Sequence, residues 1–429
     1  MRRTLNLLLL LLLCSLAVFA APSELEERLA ALKGVSGVER LESDVYPEKY
    51  LVRITQMVDP KDASKGTFTQ RVVVGHVGYD RPTVLVTEGY SGQYALWSNY
   101  REELTDLLNA NLIFVEHRYF LESTPEPCNW DYLTAENAAI DLHNINQTFR
   151  QLYKGKWIST GISKGGQTTT FYRAYYPDDV DFSVPYVGPL CRAVEDGRHE
   201  PFLRKVGKKS ERRTIERFQK EVLKRKAEML PLLEAYSKDK GLEFRIKPAE
   251  VLDYCVLEYP FSIWQWGTPT QSIPSTDSDT KTLFDHLMTI SGAEYFAEGQ
   301  PNIPFFVQAA RELGYYGYDT KPFRGLLTIE SAEGYVNRIM LPKELKDKIA
   351  FNPALYHKTY DFLKNNDPKM IFIYGEIDPW SAVHVPIFKG KKNLQVYFQK
   401  RGSHLSRINN MPENVKQKII ARLKDWLEE

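Results

Sequence analysis

Cysteine is scarce in this sequence. There are four in 429 residues, and no two stand at a zinc-finger spacing, so neither a disulfide scaffold nor a structural zinc module accounts for folding. An excess of one charge is missing as well. Against 56 lysine and arginine side chains stand 55 aspartates and glutamates, a net charge of +1, and no global field points to nucleic acid or to an anionic membrane. Beyond the N-terminus no apolar run approaches the ~18 residues of a membrane span, and repeats and long low-complexity segments are absent. What is present is ordinary globular material, 43% hydrophobic, 12% aromatic and 26% charged. That is enough for a large core in roughly two or three folding units, or in one α/β domain carrying an insertion.

The N-terminus departs from this average. Arg2 and Arg3 precede an apolar stretch from Leu5 to Phe19, which ends in Ala20-Ala21-Pro22. The pattern reads as a signal peptide over residues 1–20, with an apolar region too short to cross a ~30 Å bilayer comfortably and small residues suited to cleavage before Ala21. The expected location is therefore secreted or periplasmic, with no stable membrane association. Cleavage removes Cys14 and leaves Cys128, Cys191 and Cys255. In an oxidising compartment one disulfide and one free thiol is the simplest outcome, with the pairing open. Asn146-Gln147-Thr148 has the pattern of a glycosylation acceptor.

Along the chain, Tyr50 to Val58 and Thr67 to Val77 alternate as two antiparallel strands. Short apolar runs at 83–87, 111–115 and 156–160, separated by helix-like segments, have the look of a parallel sheet covered on both faces. A further strand runs from Asp181 to Val187. From about Arg192 to Asn366 strand-like runs disappear and helical periodicity takes over, beginning with a basic stretch, Leu203 to Lys226, that reads as the solvated face of an amphipathic helix. Strands return at 370–374 and 394–398, and a last helix opens at Pro412 with Val415, Ile419, Leu423 and Leu427 on one stripe. The expected division is a first α/β part at 21–190, a helical cap at 191–366, and a second α/β part at 367–429.

Directly after the strand at 156–160 comes Gly161-Ile162-Ser163-Lys164-Gly165, followed by a helix-like run. This is G-x-S-x-G between strand and helix, the nucleophile elbow of α/β-hydrolases, in which a side chain two residues either side of the serine would collide with its neighbours. Serine needs a histidine to take its proton and a carboxylate to hold that histidine, in the chain order Ser, acid, His. Asp378 lies in the turn after the strand at 370–374, with Glu376 as the rival acid. His404 follows the last strand, with His384 as its nearest rival. The oxyanion donors are expected from the N–H of Lys164 and from the loop Glu88-Gly89-Tyr90, either Gly89 or Tyr90. No metal or other cofactor is called for.

Thr87-Glu88-Gly89-Tyr90, Glu116-His117-Arg118-Tyr119, Tyr132-Leu133-Thr134-Ala135-Glu136, the elbow, and Gly375-Glu376-Ile377-Asp378-Pro379-Trp380 together resemble the secreted bacterial prolyl tri-/tetrapeptidyl aminopeptidases. More distantly, the sequence is similar to lysosomal Pro-Xaa carboxypeptidase and dipeptidyl peptidase II. The resemblance spans essentially the whole chain after the signal and is densest in the sheet portions. It implies an α/β-hydrolase fold with a helical lid, and a serine exopeptidase that cuts after proline and releases short peptides from the N-terminus. Peptides are then the expected partners, not nucleic acid. An aminopeptidase needs a carboxylate for the substrate's ammonium, and Glu88 is the first candidate with Glu376 second. Proline needs a flat apolar pocket, for which Trp380, Trp264 and Trp266 are candidates. Glu116-His117-Arg118-Tyr119 is expected to brace the sheet end. The elbow does not read the leaving group, so an esterase or lipase on the same fold is the alternative, and a non-catalytic exported peptide-binding protein a further one.

Overall fold

A computed structural model describes residues 22–429, and the expected signal peptide at 1–20 lies outside them. Its described residues form a nine-stranded sheet in the order β1-β2-β3-β5-β4-β6-β7-β8-β9. The strands are β1 (Val35–Leu41), β2 (Glu48–Met57), β3 (Thr67–His76), β4 (Thr83–Thr87), β5 (Asn111–Val115), β6 (Trp157–Ile162), β7 (Phe182–Tyr186), β8 (Met370–Gly375) and β9 (Leu394–Gln399). The pairings of β1 with β2, β2 with β3 and β3 with β5 are antiparallel, and all the rest are parallel.

Side-chain alternation explains why the central strands are apolar throughout. In β4, Val84 and Val86 enter one core while Leu85 enters the other, and in β5, Leu112 and Phe114 oppose Ile113 and Val115 in the same way. One face is covered by the C-terminal helix Glu413–Glu428 through Ile419, Leu423 and Trp426, with Val415 and Leu427 packed at its margin. The other is covered by Ala135–Phe149 through Leu142, Ile145 and Phe149. Each such residue removed from water contributes on the order of 1.5–3 kcal/mol. Strand β1 has no sequence expectation to match. None of its residues is buried, and its register slips between Val35 and Gly37, so an edge strand wetted on both faces shows no apolar alternation.

The chain runs from β4 to β5 on one side and returns to β6 on the other. The carboxyl ends of β4 and β6 therefore meet where strand order reverses, the position at which open α/β sheets bind ligands. This sheet, with a sharp strand-to-helix turn after β6, is the α/β-hydrolase fold.

Between β7 and β8 no described residue is in a strand, and helices Lys209–Lys224, Lys226–Asp239, Pro248–Trp266, Thr280–Ile290 and Ala354–Asn365 build an apolar core that continues into the sheet through Met370, Phe372 and Tyr374 of β8. The basic stretch is an amphipathic helix as patterned. Ile215, Phe218 and Val222 are buried, and ion pairs such as Lys220 with Glu216 lie on its outer side.

Two expectations are corrected here. Cys128, Cys191 and Cys255 are all free, the first exposed and the other two buried. Burial pushes the thiols of Cys191 and Cys255 well up, so both behave as small apolar residues. Asn146 is fully buried. Its amide donates to the Asp179 carbonyl at 3.0 Å and its oxygen accepts from Arg150 at 3.1 Å, which leaves no room for a glycan. No helix of the described residues is long and apolar enough to cross a membrane.

Candidate active site

The turn from β6 into the helix Lys164–Tyr175 holds Ser163 at φ 58° and ψ −120°. A non-glycine residue there carries strain of about 1–3 kcal/mol, which packing on both sides maintains. The Ser163 N–H donates to the Tyr186 carbonyl of β7 at 2.9 Å. A Cβ on Gly161 would run into the Gly165 backbone, and one on Gly165 would lie 2.9 Å from the Thr87 carbonyl. The glycines of the elbow thus let β4, β6 and the helix approach to backbone contact. The Ser163 hydroxyl makes no capping bond and faces a cavity of about 870 Å³.

The acid and histidine come from loops locked together. Asp378 is fully buried. Its Oδ1 accepts from the Trp380 N–H at 3.1 Å, opening the helical turn Pro379–Val383, and its Oδ2 lies 2.7 Å from Nδ1 of His404. Any side chain at Gly375 would strike the backbone of Gly402 and Ser403, so the loops after β8 and β9 pack without a gap. His404 is also tied to the helical region, its N–H donating to the Gln265 carbonyl at 2.8 Å and its ring standing edge-on to Trp266 at 5.9 Å. Ser163 and His404 line the same cavity. The rival His384 instead pairs Nδ1 with the Val385 carbonyl and does not line it.

The loop after β4 abuts the elbow. A Cβ on Gly89 would come within 2.6 Å of the Gly165 nitrogen. Lys164 opens its helix, which leaves its own N–H without an intrahelical partner, and its buried Nζ donates to the Gly89 carbonyl at 2.6 Å. Burial pulls that ammonium down to about 7 against the pull of Glu88 and Glu312. Glu88 lines the cavity, but its oxygens accept from the Tyr90 N–H at 3.1 Å and the Tyr94 hydroxyl at 2.6 Å. Burial raises its carboxyl, opposed by these donors and by Lys164. The Tyr90 N–H is thus engaged. Burial pushes its phenol up, the Glu88 carboxylate adds to that, and the nearby Ser163 hydroxyl opposes it.

Of the aromatic candidates, Trp380 and Trp266 line the cavity and Trp264 does not. Trp264 is 3% exposed and packs in a separate, smaller cavity with Ile215 and Phe261. Glu376 does not line the cavity either. It is exposed and accepts from the Arg401 N–H at 2.7 Å. Sequence reasoning missed Phe305, Tyr315 and Tyr316, which form an aromatic wall with Trp380, and Glu258. The signal for Glu258 was present as a lone carboxylate inside the apolar run Cys255-Val256-Leu257-Glu258-Tyr259.

The Glu-His-Arg-Tyr segment braces the sheet end. Glu116 forms a buried ion pair with Arg71 and accepts from the Gly92 N–H at 2.8 Å. Arg118 grips both oxygens of Asp141, at 2.6 and 2.8 Å. Among the described residues no group of three or more His, Cys, Asp or Glu could hold a metal ion.

The chain is similar to known peptidases. The family model described as PS-10 peptidase S37 matches residues 20–428. A prolyl tri/tetrapeptidyl aminopeptidase from Streptomyces mobaraensis is 29% identical over 423 residues, covering 96% of this chain and 86% of the relative. A lysosomal Pro-X carboxypeptidase from Mus musculus is 27% identical over 203 residues, covering 42% of this chain and 40% of that protein.

Proposed function

The chain belongs to the peptidase S37 family, and from that premise we propose that it is a serine exopeptidase that cleaves after proline near a peptide's N-terminus and releases tri- or tetrapeptides. The observation that carries the mechanism is the buried Asp378–His404 pair at 2.7 Å, opening on the same cavity as the strained elbow serine. Ser163 Oγ attacks the prolyl carbonyl carbon and its proton passes to Nε2 of His404. Asp378 holds the other ring nitrogen and steadies the imidazolium that forms. The tetrahedral oxygen is met by the N–H of Lys164 and by that of Gly89 or Tyr90, both of which also interact with the Glu88 carboxylate, and the Tyr90 phenol stands beside it. Each such donor contributes about 2.7–4 kcal/mol to the barrier reduction. When the C–N bond breaks, His404 protonates the leaving amine. Water, activated by the same imidazole, then hydrolyses the acyl-enzyme. The chemistry calls on no cofactor.

Proline suits the cavity because its ring offers no N–H and packs flat on aromatic faces, which Trp380, Tyr315 and Phe305 supply. In this reading Glu88 fixes the oxyanion loop, residues 191–366 act as a lid on the α/β parts 21–190 and 367–429, and residues 1–20 direct export to the periplasm or beyond. The test is hydrolysis of Ala-Ala-Pro-p-nitroanilide against short acyl esters, with fluorophosphonate labelling of the wild type and Ser163→Ala. Proline-peptide cleavage, and labelling lost in Ser163→Ala along with roughly 10⁴-fold or more in kcat, are expected. Ester turnover without peptide cleavage overturns the reading in favour of an esterase, and absence of labelling in favour of a binding protein.

A further inference from the structure

The cavity wall formed by the helix Pro248–Trp266 carries a buried carboxyl group with no cationic partner among the described residues. Glu258 lines the cavity and is 5% exposed. Its Oε2 accepts from the hydroxyls of Tyr316 and Tyr318, each at 2.8 Å, and its Oε1 from Ser262 at 3.1 Å. No cation among the described residues acts on it, and burial holds its carboxyl up at about 7 against the three hydroxyl donors.

The other acids around the cavity are already satisfied. Glu88 has a backbone N–H, a tyrosine hydroxyl and the charge of Lys164. Glu294 is paired with Lys240 and accepts from Tyr236 at 2.6 Å. Elsewhere Asp141 has Arg118 and Asp253 has Lys226, while buried Glu102, which has no basic partner, accepts two backbone N–H bonds and does not line the cavity. Burying an anion with hydroxyl bonds alone is costly, and the cost is recovered when a cation arrives. Three donors leave part of the lone-pair capacity of Glu258 free. The hydroxyls of Tyr295, Tyr315 and Tyr316 run in a hydrogen-bonded line to it, which orients the carboxylate before the cation binds.

We propose that Glu258 binds the α-ammonium group of the peptide substrate. The inference rests on the exopeptidase reading and gives it polarity: the lid recognises a free N-terminus by charge while the sheet carries out acyl transfer. Glu258 takes the place of Glu88 and Glu376 as the group that selects for an unblocked amine.

The experiment measures kcat/KM for Ala-Ala-Pro-p-nitroanilide and its N-acetyl form with the full chain, wild type and Glu258→Gln. The wild type is expected to prefer the free amine by on the order of 100-fold, the scale of a buried charge left unpaired. In Glu258→Gln that preference collapses through loss on the free amine, while the acetylated substrate and fluorophosphonate labelling hold. A wild type indifferent to acetylation, a variant that keeps the preference, or equal loss on both substrates overturns the proposal, the last marking a structural role. Should the glutamine variant fail to fold, Glu258→Asp keeps the charge on a shorter arm and is expected to lose about tenfold of the preference; an unchanged preference in it overturns the proposal. Calorimetric binding of Ala-Ala-Pro to Ser163→Ala, with and without Glu258→Gln, separates the two readings. Glu258-dependent binding stands even if turnover fails, and binding indifferent to Glu258 overturns the proposal even if turnover succeeds.

Discussion

The sheet corner and the helical wall of the cavity treat buried charge in opposite ways. At the corner three buried acids are matched from neighbouring elements: Glu116 by Arg71, Asp141 by Arg118, and Asp378 by His404. Along the helical wall Glu258 is held by hydroxyls alone. The corner is therefore complete before substrate arrives, as preorganised transition-state stabilisation requires. The wall is completed by what binds to it. Catalysis and selectivity then become separable properties of two parts of one chain.

The hardest break of that separation comes at the corner. Asp378→Asn keeps the shape of the loop but cannot hold His404 in the same tautomer, and kcat is expected to fall about 10⁴-fold. Pre-steady-state kinetics checks this, and the preference for a free amine is expected to survive. Selectivity that falls with rate would mean the two regions are not independent. Gly161→Ala comes next. Its Cβ meets the Gly165 backbone, which has no side-chain freedom to yield, so urea unfolding is expected to show a loss of about 3 kcal/mol, at the upper end for overpacking. An equivalent change in the wall is better absorbed by side chains.

Lys164 sharpens the comparison, because it is a corner cation whose charge is poorly compensated. Burial lowers it to about 7, with Glu88 and Glu312 opposing. Tyr90 also packs against it, and its charge helps to hold buried His117 neutral. The unfolded chain keeps the lysine proton to about 10.4. Between about 7 and 10 the unfolded state thus binds more protons, and native stability rises with pH by at most about 1.4 kcal/mol per unit. Below about 7 both states are protonated and this slope vanishes. Lys164→Met is expected to lose the slope, measured by urea unfolding from pH 7.5 to 9.5. It also loses the grip on the Gly89 carbonyl, so kcat is expected to fall about tenfold with KM little changed.

The two regions also differed in how much of them could be read from sequence. Strands β4 and β5 were legible to the residue because both faces are buried and their runs are apolar without interruption. Ser163 announced itself through Gly161 and Gly165, whose absent side chains are a local requirement of the turn. Asp378 and His404 were reachable because chain order and strand ends constrain them, and the structure brings their side chains to 2.7 Å. The wall was not legible. Trp264 and Trp266 are two residues apart on one helix and face different cavities, a choice made by tertiary packing. Glu258 joins Tyr316 and Tyr318 from distant sequence, and no local pattern encodes that meeting. The disulfide expectation failed for the same reason, since redox context says nothing about which elements the cysteines occupy.

Glu376 supplies the smallest expected effect and the cleanest control. It lies two residues from Asp378 in the same loop, yet it is exposed and bonds only the Arg401 N–H across the turn. Proximity in sequence makes it the second candidate after Glu88 for recognising the substrate. Solvent access makes it a poor one, because an exposed carboxylate has little desolvation to recover and its ion pairs contribute about 0–1 kcal/mol. Glu376→Gln is therefore expected to change unfolding free energy by no more than about 0.5 kcal/mol and to leave the ratio of free to acetylated substrate turnover unchanged. The two glutamates make matched substitutions of the same type, one buried in the helical wall and one exposed at the corner. Selectivity that moved with Glu376 and not with Glu258 would return recognition of the N-terminus to the sheet and remove the division of labour between the two regions.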